Sequence, residues 1–489
     1  MRRARTAGKA TVLTKIGIIS VVFLRAHNAT AEDISVIRPF SSSSPIHISR
    51  LERPELWRAP EASTALLEST DQAVVQATSS GPRPPAQAVS FLEKLDHQLG
   101  LSAEMSKEKK ELMTESAHAF FRASPALFYS DLQGPYQEAS RLLPETAPRV
   151  AIVGDAHLLN AGTFRGPDGT TVWGLNDFDQ AEIGSPEWDL ERMGSSLYVA
   201  ARSGGLSSEE SLDLVRQMGQ SYLANLGSKG PAYLHRSETD GKVAETIDKA
   251  GSKDQKKFLA KWTNPDGRSL LRGEDLEDPD PKRGAQVQNA LKTTFPELEF
   301  LDLASKPHSG GSTRGLERYY ALVDNPGNAP WILEVKAVLP SPVQVPDGDL
   351  SRGDGGQILD FQKQMGSPVD HRHRAFKLDG VAFFTRERER EKDSVKDKPK
   401  HLSNLAPLLG KVLARAHNSS GADLNGWVNG RDDQLLDNLG AFSQSYARQV
   451  ESDFREFSAK YAPPPGSTPP PPADPAPDSS RPQGYLFAS

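Results

Sequence analysis

The stretch VAIVGDAHLLNAG, residues 150–162, decides how the fold is interpreted. A short apolar run ends at Gly and Asp, which predicts a strand that stops at a polar loop. Within that loop, Asp155, His157 and Asn160 lie close together in the sequence. The stretch is therefore either an ordinary polar turn, since Asp and Asn are common turn residues, or the edge of an active site.

A second strand end carries further acidic residues. TTVWGLNDFD, residues 170–179, is again a β-branched and aromatic run, and it ends at Asp177 and Asp179. Asp155 and Asn160 have the spacing D-x-x-x-x-N, with the second pair about twenty residues later. This order suits phosphoryl transfer, in which one Asp accepts a proton from the attacking hydroxyl while Asn and a further Asp hold metal ions. Asp155 is the candidate base, and Asn160, Asp177 and Asp179 are the candidate metal ligands.

Composition limits the class of protein. The chain has 489 residues, of which 37% are hydrophobic, so it is long enough for a sizeable core. The net charge of -6 is small for this length, with acidic and basic residues interspersed, and this argues against a nucleic-acid-binding surface. The absence of cysteine excludes disulfides and thiolate chemistry.

The two ends of the chain differ from its middle. A basic segment, an apolar run at 16–24 and the small-x-small tripeptide ATA ending at Ala31 predict an export signal. We therefore expect a periplasmic or secreted protein with no transmembrane helix after cleavage. A frayed N-terminus on a cytoplasmic protein is the alternative. The Ser/Pro-rich stretch that follows and the Pro-rich stretch after residue 461 are both expected to be disordered.

Between these ends, helical and strand patterns alternate, which predicts an α+β fold. Apolar spacing predicts helices within 89–147 and in 402–420 and 435–461, and SPEW predicts a helix start at residue 185. Two strands joined by a Gly/Pro turn are expected at 315–323 and 331–339. The expected domains are a signal peptide (1–31), a Ser/Pro-rich extension (32–88), a mainly helical lobe (89–298), a β lobe (299–400), C-terminal helices packing on the helical lobe (401–461) and a Pro-rich tail (462–489).

Six segments, in order, resemble a bacterial family known as domain of unknown function 2252. They are FFRASPALFYSDL, VGDAHLLNAGTF, LNDFDQAEIGSPEWDLERMGSSLYVAAR, GGSTRGLERYYALV, ILEVKA and LARAH, and they span roughly residues 110 to 420. The block around the first two strand ends is also similar, more distantly, to aminoglycoside phosphotransferases and related kinases. That similarity implies a two-lobed protein-kinase-like fold.

The kinase resemblance also implies a nucleotide-binding half. Kinases place a Gly-rich turn over the phosphates and a strand Lys beside them. SGGSTRGLERYYALV, with Gly310 among its glycines, comes just before one predicted strand, and the Lys of ILEVKA lies on the next. Because this half follows the catalytic half, the fold is expected to be circularly permuted. The residues expected to contact ATP or another nucleotide, bound with Mg²⁺ or Mn²⁺, are Gly311, Ser312, Gly315, Lys336 and Arg122.

Several residues have simpler interpretations. Asp189 and His157 are expected to support the loop rather than to react. No Glu follows Lys336 as a clear partner, and Asp360 and Gln357 are the nearest substitutes. HRHR at 371–374 is expected to be an exposed loop. RERERE at 386–391 is expected to form a solvated face.

Two other functions remain open. GDAH with NDFD could form a two-metal phosphoester hydrolase that uses Asp155, His157, Asp177 and Asp179. A degenerate kinase fold could bind a ligand without catalysis, and export would favour this because ATP is scarce outside the cytoplasm. The acceptor substrate and the oligomeric state are not determined by the sequence.

Overall fold

The computed structural model describes residues 83–308, 311–343 and 353–463. The predicted signal peptide, nearly all of the Ser/Pro-rich extension and the Pro-rich tail beyond residue 463 lie outside the described residues, as does Gly310. The last residues assigned to the extension, from Pro85, already belong to the first helix. No helix within the described ranges is long and apolar enough to cross a membrane.

The described chain is a mixed α+β structure, as expected. Its helices are α1 (Pro85–Gln98), α2 (Ala103–Met113), α3 (Ala117–Ala123), α4 (Pro125–Leu132), α5 (Pro186–Ser203), α6 (Ser208–Ala224), α7 (Gly241–Gly251), α8 (Gln255–Leu259), α9 (Pro281–Thr294), α10 (Gly355–Gln364), α11 (Pro399–Asn418), α12 (Leu424–Val428) and α13 (Asp432–Tyr461). Its strands are β1 (Val150–Ile152), β2 (Ala161–Arg165), β3 (Thr171–Leu175), β4 (Glu182–Gly184), β5 (Tyr233–Leu234), β6 (Phe300–Ser305), β7 (Arg318–Val323), β8 (Trp331–Ala337), β9 (Ala375–Leu378) and β10 (Val381–Glu387).

A helical core carries the short strands of the first half. Helices α5, α6, α11 and α13 pack on one another through fully buried side chains such as Leu197, Met218, Leu409 and Leu439. β1 pairs antiparallel with β4, and β2, β3 and β5 form a separate three-stranded sheet. The loops after β1 and β3 therefore emerge from two different small sheets set on the same core.

Helix α5 begins where its sequence predicts. Ser185 caps it by accepting a hydrogen bond from the Glu187 amide, and Pro186 occupies the first turn, where its missing N–H costs nothing. Most of the helix is buried, including Asp189 and Arg192 in its first two turns. These two charged side chains are thus carried on a rigid element beneath the β1 loop.

The second half of the chain contains a five-stranded antiparallel sheet in the order β6, β7, β8, β10, β9. Helix α10 lies in sequence between β8 and β9 and packs on β9 and β10. One face of the sheet, with Leu333, Val335 and Phe383, packs against α9. The 259–276 segment covers Leu322 and Ile332 at one end of the opposite face.

Because side chains alternate along a strand, that opposite face also carries Arg318, Glu334 and Lys336. These residues lie beyond the apolar part of the face. The polar end of the sheet therefore turns toward the loops that follow β1 and β3.

Candidate functional site

Two loops that are distant in sequence touch at Gly154. This glycine has φ +77°, and a Cβ built on it would lie 1.8 Å from the backbone oxygen of Gln180. Only glycine allows this approach, because any side chain would overlap the neighbouring loop and strain the left-handed backbone. The β1 loop and the 177–180 loop are consequently in backbone contact.

Asp189 holds the end of β1 from below. Its carboxylate accepts hydrogen bonds from the amides of Val153 (2.6 Å) and Gly154 (3.1 Å). His417 Nε2 lies 3.1 Å from the same carboxylate, and His417 Nδ1 is bonded to the hydroxyl of Tyr222. Asp189 is fully buried and does not line the cavity described below, so it acts on the loop backbone.

Asp155 faces a buried arginine. Nε and one terminal nitrogen of Arg192 both contact Asp155 Oδ1, at 2.7 and 2.6 Å. The guanidinium also lies over the ring of Phe121, 4.4 Å from its centroid. Burial raises the pKa of Asp155, and Arg192 opposes that rise. Oδ2 is the oxygen that Arg192 leaves available.

His157 and Asn160 shape the rest of the β1 loop. The Asn160 amide nitrogen donates to the backbone oxygen of Asp155 (2.8 Å), which leaves its amide oxygen as the remaining acceptor. His157 Nδ1 accepts from the Leu159 amide (3.2 Å), so the neutral ring carries its proton on Nε2. Burial, followed by the nearby cations Arg122 and Arg192, holds the pKa of His157 well below its ordinary value.

Asp177 carries an unsatisfied carboxylate oxygen. Its Oδ1 is buried and has no hydrogen-bond partner among the described residues. Burial alone would raise the pKa of Asp177, but Lys336, Arg386 and Lys392 outweigh it and hold this pKa well below the usual range. The group is therefore held as an anion, and native proteins rarely leave a buried oxygen such as Oδ1 without a hydrogen-bond partner unless it has a role.

Lys336 finds its partner in the Asp177 loop. Its ammonium forms an ion pair with Asp179, and both side chains are nearly buried. The substitutes suggested from the following helix do not reach it: Asp360 is exposed, and Gln357 donates to Glu182 instead, at 3.3 Å. Residues separated by more than 150 positions thus meet directly.

The sheet side of the site is built around a buried acid. Glu334 accepts from Arg386 Nε at 2.7 Å and lies 3.5 Å from Arg318 NH1. Burial would raise the pKa of Glu334, yet these two arginines hold it well below its normal value. The acid is 4% exposed and remains charged, so it fixes both guanidinium groups at the polar end of the sheet face.

RERERE at 386–391 is not the solvated face that its composition predicts. None of its six residues is exposed, and Glu391 is buried. Because side chains alternate between the two faces of a strand, Arg386 lies on the face that carries Glu334 and donates to it. Glu387 and Glu391 meet the guanidinium of Arg165, and Glu389 accepts from the Arg165 backbone amide, which local composition cannot reveal.

HRHR at 371–374 is exposed only in part. His371 is exposed, whereas Arg372 pairs with Glu387 and Arg374 pairs with Glu297. The expectation of an exposed loop is therefore wrong for its two arginines, which are tied to acids elsewhere in the chain.

These groups share one cavity of about 320 Å³. Seven cationic and four acidic side chains line it, so its walls favour an anionic ligand. Gly311 and Ser312 lie in the lining, whereas Gly315 packs beside Leu101 and Met105 outside it. The lining comprises Arg122, Asp155, His157, Asn160, Asp177, Asp179, Gln180, Lys306, Gly311, Ser312, Thr313, Arg318, Tyr320, Glu334, Lys336, Arg386, Arg388 and Lys392.

Arg122, which the sequence predicts to contact the nucleotide, lies in α3 and reaches the lining of this cavity. Its Nε is buried and has no hydrogen-bond partner among the described residues. Burial lowers the pKa of Arg122, and the charge of Asp155 opposes that change. The side chain is therefore positioned to meet a ligand that enters the cavity.

A metal ion at this site would need oxygen atoms from a bound ligand in addition to those of the protein. Within the described residues, no group of three or more His, Cys, Asp or Glu side chains is arranged to hold a metal. Asp177 Oδ1 and the amide oxygen of Asn160 are the protein oxygens that fit, because Asp179 is paired with Lys336. Mg²⁺ commonly takes one or two protein oxygens and completes its shell with phosphate and water, so this donor set is compatible with it.

Sequence reasoning missed three residues that organise the site: Arg192, Glu334 and Arg386. Glu334 lies two residues before Lys336, so strand periodicity alone puts both on one face. Arg192 is one turn beyond Asp189 on the predicted helix. Both signals were present in the sequence, whereas the pairing of Arg386 depends on which strands become neighbours.

Comparison with known proteins identifies a family. A family model described as "Uncharacterized protein conserved in bacteria (DUF2252)" matches residues 102–460. No curated protein and no solved structure matches the chain.

Proposed function

Because the chain belongs to the uncharacterised bacterial family DUF2252, we propose its function from the site alone. The proposed function is phosphoryl transfer from ATP or another nucleotide, bound with Mg²⁺ or Mn²⁺, to an acceptor that is still to be identified. The observation that carries it is the unpartnered, buried oxygen of Asp177 in a cavity that Asn160 and Lys336 also line.

The strand layout supports this proposal. The connection between β6 and β7 contains Gly311, Ser312 and Gly315, β8 carries Lys336, and α10 follows β8 before the last two strands. A glycine-bearing connection, a strand Lys and a following helix are the parts that protein kinases use to bind the phosphates of ATP. Here they follow the Asp155 loop in sequence, so we infer a kinase-like, two-lobed and circularly permuted fold.

Each residue would then have a distinct task. Asp155 Oδ2, the oxygen not held by Arg192, would accept the proton of the acceptor hydroxyl. Lys336 and Arg122 would neutralise phosphate oxygens, and Gly311 and Ser312 would let the backbone approach them. Asp177 and Asn160 would hold the metal ion, which when bound would neutralise charge on the phosphates.

Two features shape that assignment. Lys336 is already paired with Asp179, so Asp179 would hold the lysine rather than bind metal. His157 Nε2 lies 3.7 Å from Asp155 Oδ2, beyond a direct hydrogen bond, so His157 would support the base as a neutral neighbour.

A second candidate, a binding protein without catalysis, is favoured by the Arg192 contact. A buried carboxylate held by a guanidinium is a weaker base than the same buried carboxylate without it, because the pair stabilises its charged form. The two-metal hydrolase receives less support. Asp155 and Asp179 are each paired with a cation, and the described residues contain no three-ligand metal cluster.

The test is thermal stabilisation by nucleotide and metal together. A ligand at a hundred times its Kd should stabilise the protein by about 2.7 kcal/mol. We expect ATP with Mg²⁺ or Mn²⁺ to stabilise the wild type, and Asp177→Asn to lose the metal-dependent part. Asp213→Asn, at an exposed acid on α6, is the matched control and should respond like the wild type.

Turnover then separates the two candidates. In a transferase, Asp155→Asn keeps nucleotide binding but loses nucleotide consumption in the presence of acceptor extracts. In a binding protein, the wild type consumes none. No stabilisation of the wild type by any nucleotide with metal would reject the proposal.

A further inference from the structure

The cavity contains a second cationic group apart from Lys336. Arg318 and Arg386 approach the two oxygens of Glu334 from neighbouring strands, with contacts of 3.5 and 2.7 Å. The strand registers place Arg386 opposite Glu334 and Arg318 opposite Lys336. Both guanidinium groups are mostly buried, with 11% and 17% of their side chains exposed.

One acid does not neutralise two arginines. An arginine has five N–H donors, and Glu334 occupies only part of those available on Arg318 and Arg386. Both side chains line the cavity, where Arg388 and the exposed Lys392 add further positive charge at the same side. Buried, pre-oriented arginines with spare donors are suited to a planar or tetrahedral oxyanion.

The cavity offers little to an uncharged group. Of the described residues that line it, Tyr320 alone is a Phe, Trp or Tyr, and its ring packs edge-on against Trp262. The part of the sheet face between Lys336 and the apolar end is therefore occupied by charge. A ligand that reaches this region must itself bring a negative group.

We propose that Arg318 and Arg386, held by Glu334, form a second anion subsite that binds a phosphate group other than the one beside Lys336. The inference rests on the proposed function for the identity of the first subsite. It defines the substrate class as compounds with at least two phosphate groups, with no requirement for an aromatic base.

The spacing along β8 sets the size of the ligand. Glu334 and Lys336 are two residues apart on one strand face, which corresponds to about 7 Å. A chain of three phosphates, or a small compound phosphorylated at both ends, spans that distance, whereas orthophosphate reaches only one subsite. Inorganic tripolyphosphate is therefore the simplest probe.

The experiment measures tripolyphosphate and orthophosphate binding by calorimetry without added metal. Removing one charge-assisted contact should weaken tripolyphosphate binding about tenfold or more. We expect this for Arg386→Gln and Arg318→Gln. Arg390→Gln, in the same charged run but outside the cavity, should change the Kd less than twofold.

Folding is controlled by a paired variant. Glu334→Gln with Arg386→Gln removes one acid and one arginine together, and Arg318 keeps the electrostatic attraction of Asp177. It should fold like the wild type, as judged by circular dichroism, and should still bind tripolyphosphate weakly. Wild-type affinity in this variant or in Arg386→Gln would overturn the subsite.

Two further arms separate the sources of the phosphate and the two proposals. If the subsite binds the phosphates of the nucleotide donor, saturating ATP displaces tripolyphosphate. If it binds a phosphorylated acceptor, tripolyphosphate still binds in the presence of ATP. Either result supports an anion subsite. Asp177→Asn removes a negative charge from the same cavity and should not weaken metal-free tripolyphosphate binding. No nucleotide binding with metal, beside tripolyphosphate binding that Arg386→Gln weakens, would reject the proposed function and leave the subsite intact, whereas metal-dependent nucleotide binding beside an insensitive Arg386→Gln would do the reverse.

Discussion

Replacing Arg192 with Met should expose how the candidate base is held. The side chain is fully buried, and its guanidinium provides both contacts to Asp155 Oδ1. Met has similar length and leaves the contact with Phe121 partly filled. Because removing one partner of a buried pair leaves an uncompensated charge, the free energy of unfolding should fall by about 3–5 kcal/mol.

The pH dependence identifies the cause of that loss. Burial raises the pKa of Asp155, and Arg192 opposes this rise, so the pKa in the variant rises further. A carboxyl with a raised folded-state pKa stabilises the fold below the unfolded pKa, about 3.9, and loses that contribution as pH increases. The deficit of Arg192→Met against the double variant Asp155→Asn with Arg192→Met should therefore grow between pH 4 and pH 8.

Urea denaturation at several pH values measures this effect. The double variant has no isolated charge and should recover most of the stability. Arg202→Met, at an exposed arginine near the end of the same helix, should change stability by less than about 0.5 kcal/mol. The reasoning fails if Arg192→Met unfolds like Arg202→Met, or if the double variant is no more stable than the single one.

Three further variants test other parts of the fold. Arg83→Met leaves the buried Asp131 and Asp453 without their shared arginine and should cost about 3–5 kcal/mol in urea denaturation; a cost below 1 kcal/mol would contradict this. Burial raises the pKa of Glu191 well above normal, and neither of its carboxylate oxygens has a partner among the described residues. Glu191→Gln should therefore stabilise the protein by about 1 kcal/mol or more at pH 7 and have no effect below about pH 4.3. Equal denaturation midpoints of the variant and the wild type at pH 7 would refute this. Gly154→Ala should cost about 1–3 kcal/mol and abolish ligand-induced thermal stabilisation, since the new methyl group would force the two loops apart; unchanged stabilisation would argue against loop contact.

Local patterns predicted most of the elements that carry the site. β1, β3, β7, β8 and α5 lie where alternation, turn residues and capping place them, because each pattern is set by neighbours within a few residues. The pairing of the strands was not predictable in this way. β1 pairs with β4, and β3 pairs with β2 and β5, and such pairings depend on packing against the helical core.

The same division applies to the side chains. Asp155, Asn160 and Asp177 follow from the strand ends at which they lie, and the structure brings them to one cavity with Lys336. The prediction that RERERE forms a solvated face was wrong, because a run of charged residues stays solvated only if no opposite charges from other segments pair with it. Arg165 lies more than two hundred residues before its partners Glu387 and Glu391, a separation that composition cannot bridge.

The partner of Lys336 has a physical consequence for the proposed chemistry. An acid on the helix after β8 would tie the lysine to that helix, but Gln357 there contacts Glu182 instead. Asp179 holds the lysine from two residues beyond Asp177. The free carboxylate and the lysine are therefore positioned by one short loop, itself fixed against Gly154 by backbone contact. Because Asp177 and Asp179 lie on this one loop, the charge arrangement of the cavity is set by the loop and Lys336 rather than by a side chain of α10.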